Sequence, residues 1–141
     1  MTMEMTDGLA FAAARSKGTL VTIRRDGRPQ VSNVMYVIDD DVVTMSLTHD
    51  RAKTRNLRAD PRACLHVTDE SFWQYVVLDG VVDLSAAAEG PADQTVELLV
   101  AYYRRLSGEH PDWDEYRAAM VSDRRLVASL KVTSVYGQVS A

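Results

Sequence analysis

The sequence predicts an α+β fold: a six-stranded antiparallel barrel with peripheral helices. Three observations predict it. Runs rich in β-branched and aromatic residues follow one another at hairpin spacing up to residue 48. Further such runs occupy about 62–69, 73–84 and 126–136. Helical periodicity is confined to short pieces at the start and middle of the chain and to residues 92–121. Strands in mostly hairpin order with a few interposed helices belong to this class.

Residues 6–15 form a short Ala-rich helix, with Thr6 or Asp7 as its cap and Gly18 as its stop. Strands at 19–24 and 30–38 flank Asp26 and Gly27, a strong hairpin signal. The three aspartates 39–41 turn the chain into residues 42–48. There Val43, Met45 and Leu47 share one face, and Thr44, Ser46 and Thr48 the other. A basic helix at 51–59 closes at Asp60-Pro61. In the strand that follows 73, Gly80 marks a bulge or a close approach. Pro91 opens a helix at 92–106, ended by Ser107-Gly108, with Val96, Leu99, Tyr103 and Leu106 on one stripe. Asp112 and Glu115 resemble a capping box for a helix at 112–121, which carries Trp113, Tyr116 and Met120 on one side.

At 141 residues, with no repeat or linker, the chain is expected to form one domain over residues 1–141. A single cysteine, Cys64, excludes an internal disulfide framework and suits a reducing compartment. No run of apolar residues is long enough to span a membrane, and the N-terminus carries acids where a signal peptide needs bases. A cytoplasmic protein with no membrane or nucleic-acid partner is therefore expected. The three histidines show no metal-ligand spacing, and no nucleophile–base pair stands out.

The formal charge of −4 hides an asymmetry. Residues 15–62 hold ten bases and six acids, whereas residues 63–141 hold six bases and twelve acids. The basic half centres on Arg51, Lys53, Thr54, Arg55 and Arg58, at the start of a helix. A helix N-terminus offers unpaired N–H groups and partial positive charge, to which Lys53 adds an ammonium and Thr54 a hydroxyl. This is either a phosphate site or a solvated basic face. On the strand at 30–38, alternation puts Gln30, Ser32 and Val34 on one face and Val31, Asn33 and Met35 on the other. The amides either bind the edge of a flat heterocycle or simply face solvent. Trp73 and Tyr75, two apart on a strand, either clamp a planar ring or belong to ordinary packing.

Three segments in this order resemble one family: residues 26–36 (Asp-Gly-Arg-Pro-Gln-Val-Ser-Asn-Val-Met-Tyr), 51–57 (Arg-Ala-Lys-Thr-Arg-Asn-Leu) and 108–116 (Gly-Glu-His-Pro-Asp-Trp-Asp-Glu-Tyr). The family is the pyridoxamine 5'-phosphate oxidase-like split β-barrel family, in its actinobacterial branch that binds the deazaflavin cofactor F420. The resemblance covers about residues 6–137. It implies a split β-barrel of the FMN-binding type and a homodimer with cofactor clefts between the subunits. It places the cofactor phosphate on Lys53, with Arg51, Thr54 and Asn56 near it. Gln30, Val31, Asn33, Ser46 and Leu47 would line the ring, and Trp73 and Tyr75 would reach the same cleft. Arg55 and Arg58 would suit an anionic tail. The chain departs from pyridoxamine phosphate oxidases proper in having no basic residue after Lys131, so oxidation of vitamin B6 is not expected. The implied activity is hydride transfer between F420 and a small electron-poor organic substrate. FMN in place of F420 is the alternative cofactor. A non-catalytic carrier of the cofactor, or a binder that sequesters a planar ligand such as haem, is the alternative function.

Overall fold

The computed structural model describes residues 3–140. Helix α1 (Met5–Ala13) leads into β1 (Lys17–Ile23), β2 (Pro29–Asp39) and β3 (Val42–Thr48). Helix α2 (Ala52–Ala59) separates this meander from β4 (Arg62–Thr68) and β5 (Tyr75–Leu84). Helices α3 (Gln94–Ser107) and α4 (Trp113–Ser122) precede the last strand, β6 (Arg125–Gln138). All pairings are antiparallel, and the order β1-β2-β3-β6-β5-β4 closes on itself as a barrel. Closure leaves no strand edge to pair with another chain.

Local chemistry explains the turns. Gly27, at φ 86°, occupies a left-handed position between β1 and β2, and its N–H donates to the Arg24 carbonyl at 2.8 Å. Asp40, at φ 52°, makes the two-residue turn into β3, a conformation that aspartate tolerates better than most residues. At Gly80 the β5–β6 register shifts. A side-chain carbon there would lie 2.0 Å from the Lys131 carbonyl oxygen, so the strand crossing requires glycine.

The inward faces fill the barrel completely. Leu20, Tyr36, Val43, Met45, Leu47, Leu65, Leu78, Leu126 and Leu130 are all buried in one cluster. Phe11 and Ala12 of α1 and Leu57 of α2 join that cluster, and the Tyr36 hydroxyl donates to the Ala12 carbonyl at 2.7 Å. A six-stranded barrel is narrower than the eight-stranded kind that side chains just fill, so its interior has no room for a ligand. Any site must therefore lie on the outside. A second cluster, built from Val96, Leu99, Val100, Tyr116 and Val127, seats α3 and α4 against the outer side of β6. No helix among the described residues is long and apolar enough to cross a membrane.

Several expectations need correction. Helix α1 starts at Met5 behind Glu4, with no side-chain cap, so neither Thr6 nor Asp7 caps it. Gly18 lies inside β1 and does not stop the helix. Helix α3 begins at Gln94, where Asp93, not Pro91, marks the start by accepting the Val96 N–H at 2.8 Å. Strand β5 begins at Tyr75, which leaves Trp73 in the preceding turn and not on the strand. There Phe72 takes φ 72° and the Asp69 carboxylate accepts from the Ser71 N–H and hydroxyl, so the chain cannot run straight through. At α4, Asp112 does accept the Glu115 N–H, at 3.1 Å.

Candidate functional site

On the outside of the barrel, β2, β3 and the start of β6 form one wall, and α2, α3 and α4 stand around it. The enclosed space is a cavity of about 320 Å³, within the range of small-molecule pockets. Asn33 of β2, Ser46 of β3, Lys53 of α2 and Arg125 of β6 line it, with Tyr102, Tyr103, Tyr116 and Met120 from α3 and α4. A second cavity, of about 440 Å³, shares Asn33, Val34 and Met35 with the first and continues to Thr19, His66 and Thr68. Together they make a groove across the outer face of β2. Its far bank is the His66 ring, which lies 5.6 Å from that of Tyr75.

Charge is concentrated at the α2 end. Arg51, the N-cap, has no side-chain acceptor to offer, so the first-turn N–H groups gain no cap. Lys53, the second helical residue, is half-buried and makes no ion pair among the described residues. Burial pushes its ammonium below the ordinary lysine value of 10.5, and the nearby Arg51 and Arg125 charges push it further. Arg125 Nη1 lies 3.4 Å from Ser46 Oγ and 3.5 Å from its carbonyl. Arg125 Nε is buried with no hydrogen-bond partner. A partly desolvated cation pair with an orphaned donor fits an anionic group such as a phosphate.

Apart from Tyr75, whose ring lies beside His66 at the far bank of the groove, the expected residues divide into three sets. Asn33, Ser46 and Lys53 meet at the first cavity, with Arg51 beside them. Thr19 Oγ1 donates to Asn33 Oδ1 at 3.4 Å, which leaves the Asn33 amide N–H groups to the groove. Gln30 and Asn56 meet each other instead. Asn56 Nδ2 donates to Thr22 Oγ1, which donates to Gln30 Oε1, each at 3.1 Å, and Gln30 lies on the strand face opposite to Asn33. These residues fasten α2 to β1 and β2.

The third set does not reach the cavity. Thr54 is fully buried and its hydroxyl donates to the Thr48 carbonyl at 2.7 Å, so it is not the free donor the sequence suggested. Leu47 points into the barrel core. Arg58 holds the His49 carbonyl at 3.0 Å and its ring Nδ1 at 2.9 Å, which removes it from a free basic stripe. Val31 and Trp73 are 57% and 75% exposed, facing solvent.

Sequence reasoning missed Arg125 and the tyrosines of α3 and α4 as lining residues. For Tyr116 a signal existed, because its helical stripe with Trp113 and Met120 had already marked that face as packed. Burial raises the Tyr116 phenol to about 12, and its hydroxyl donates to the Leu99 carbonyl at 2.9 Å, so it stays a neutral wall.

A closed six-stranded antiparallel barrel with a filled interior, and a cavity on its outer side beside a cationic helix start, is the architecture of the split-barrel class. Residues 8–138 match the pyridoxamine 5'-phosphate oxidase family, and the chain belongs to it. Among solved structures it is similar to an F420 reductase, at 25% identity and TM-score 0.68 over 89% of this chain and 94% of that one. A conserved hypothetical protein from Mycobacterium tuberculosis aligns at 19% identity and TM-score 0.73, covering 100% of this chain and 93% of the other. An FAD-binding protein from Mesorhizobium loti aligns at 16% identity and TM-score 0.70, over 100% and 98%. The last two are likenesses of fold.

Proposed function

We propose that the chain binds the deazaflavin cofactor F420 and is an oxidoreductase that passes a hydride between it and a small electron-poor organic substrate. The observation that carries this reading is Lys53, a half-buried cation with no ion-pair partner among the described residues, at the head of a groove of flat-ring size. Holding a cation out of water without a counter-charge is unfavourable, and the cofactor phosphate supplies that charge. The likeness to an F420 reductase supports a deazaflavin over a flavin.

The bound cofactor supplies the hydride chemistry; the chain binds, orients and shields it. Lys53 and Arg51 hold the phosphate, helped by the main-chain N–H of Thr54. Asn33 and Ser46 line the ring, with Leu47 contributing only backbone, and Val31, outside the cavity of the single chain, meets it only in the assembled dimer. Gln30 and Asn56 set the angle between α2 and β2 through Thr22. Tyr75 stands beside His66 at the far bank of the groove, and Trp73 completes the cleft from a second copy of the chain. That homodimer is supported by apolar residues left exposed on the outer strand faces, Val31, Met35, Val81 and Tyr136 among them.

The test is titration of the purified protein with F420 and, separately, with FMN, followed by absorbance and fluorescence, with light scattering for the mass. Tight F420 binding by a dimer is expected. A protein that perturbs neither spectrum overturns the reading, and one that takes only FMN moves it to a flavin enzyme.

A further inference from the structure

We propose that Arg125, the first residue of β6, is the second cation of the phosphate site and binds the ligand together with Lys53. Phosphate as the ligand group rests on the cofactor reading above, whereas the convergence of two cations does not.

Arg125 and Lys53 come from distant parts of the sequence but line the same cavity. The pairing of β3 with β6 brings them there, because Thr48 lies opposite Arg125 and Leu47 opposite Leu126. Several arginines elsewhere on the surface are paired at hydrogen-bond distance, whereas Arg51, beside Lys53, has no ion-pair partner among the described residues. Arg62 has a carboxylate oxygen at 2.7 Å, Arg104 at 2.9 Å, and Arg105 and Arg117 at 2.5 Å. The carboxylate nearest Arg125, that of Asp123, stands 3.9 Å from Nε, beyond hydrogen-bond reach. Nε is buried and unpartnered, and Nη1 makes only long contacts to Ser46. A guanidinium is a planar fork of five donors, suited to two oxygens of one phosphate. Here that fork is two-thirds covered, with its side chain 33% exposed, and lacks a good acceptor. A phosphate between Lys53 and Arg125 would supply it. The Arg125 charge is also felt at Lys53 and at the Tyr102 phenol, consistent with one shared electrostatic site.

Calorimetric titration of wild type, Arg125→Met and Arg125→Lys with F420 and with its phosphate-free deazaflavin alcohol tests this. Arg125→Met is expected to weaken F420 binding at least tenfold and to leave the phosphate-free ligand within about twofold. Arg125→Lys, which keeps the charge but not the fork, is expected to fall between, and thermal unfolding checks that each variant folds. Equal F420 affinity in wild type and both variants overturns the assignment while the cofactor reading stands. So does an equal loss for both ligands. If wild type binds neither F420 nor FMN, the cofactor reading fails alone, and the same proteins are titrated with pyrophosphate. Weaker pyrophosphate binding by Arg125→Met then supports the cation pair, and equal or absent binding overturns it.

Discussion

Along the seam between β5 and β6, backbone lies against backbone with no room to spare. At the cleft between α2 and β6, two cations stand with no carboxylate in hydrogen-bond contact. The seam is where the register shifts at Gly80 and where a side-chain carbon on Gly137, at φ 148°, would lie 2.2 Å from the Tyr75 carbonyl oxygen. The cleft is where Lys53 and Arg125 share a cavity. Both are departures from ordinary packing, but they answer to different demands. The first is required by closing a small barrel, and its disturbance should be read in stability. The second makes the folded state no more stable, because desolvated like charges oppose one another, and its disturbance should be read in binding.

The largest effect expected follows from the seam. Gly80→Ala places a carbon against the Lys131 main chain, which cannot swing aside as a side chain would. A loss of about 3 kcal/mol is expected, lowering Tm by roughly 10 °C. Gly27→Ala is the contrast, since Gly27 has open space around it and only its φ of 86° opposes a side chain. It should cost about 1 kcal/mol. Equal losses at the two positions, measured by thermal unfolding, would show that crowding at the seam is relieved by movement of β6.

Lys53→Ala reverses the pattern. It should weaken F420 at least tenfold, about 1.4 kcal/mol, while Tm stays level or rises slightly. Unchanged affinity in a fluorescence titration removes Lys53 from the phosphate site. The pH dependence sharpens this. An anionic ligand prefers protonated Lys53, so affinity should fall as pH rises through the Lys53 pKa, which lies below 10.5 in the ligand-free protein. Lys53→Arg should keep its charge and carry the loss to higher pH. A wild-type affinity that is flat up to pH 10.5 would place the ligand's charge elsewhere.

Tyr36→Phe, deep in the barrel, should cost about 1 kcal/mol by unfolding, the worth of its bond to the Ala12 carbonyl. Burial pushes that phenol far above its ordinary range, so it donates at every working pH and the cost should not vary with pH. A cost that vanished at any neutral pH would mean that the bond is not kept in solution.

What the sequence showed clearly was local. Gly80 as a close approach, the turn at Asp40-Asp41, the inward set Val43, Met45 and Leu47, and the cap at Asp112 each follow from a few neighbouring residues. The barrel and the basic helix beside it were legible for the same reason. The errors were non-local. Thr54 carries a suitable hydroxyl, but nothing in its own segment shows that the Thr48 carbonyl folds back to claim it. Arg125 falls in the gap between the helix ending at 121 and the strand expected from about 126, and only the pairing of β6 with β3 brings it to Lys53. Trp73 was misplaced because an aromatic residue at positive φ, as at Phe72, contradicts the preference that made the run look like a strand.

Trp73 offers the smallest stability effect and the clearest separation of the two regions. The residue is 75% exposed, with its ring edge-on to that of Phe72 at a centroid distance of 6.3 Å. The turn beneath is held without it, by Asp69 accepting from Gln74 Nε2 and the Ser71 hydroxyl, each at 2.6 Å. Trp73→Ala should therefore change stability by less than about 0.5 kcal/mol. If the indole enters the cleft of a second copy, the same variant should bind F420 several-fold more weakly, with the fold and the dimer intact. A large drop in Tm would make Trp73 a packing residue in the assembled protein. Unchanged affinity and unchanged Tm together would take it out of the ring-binding set, leaving Tyr75, already in contact with His66 at the edge of the groove, as the aromatic bank of the site.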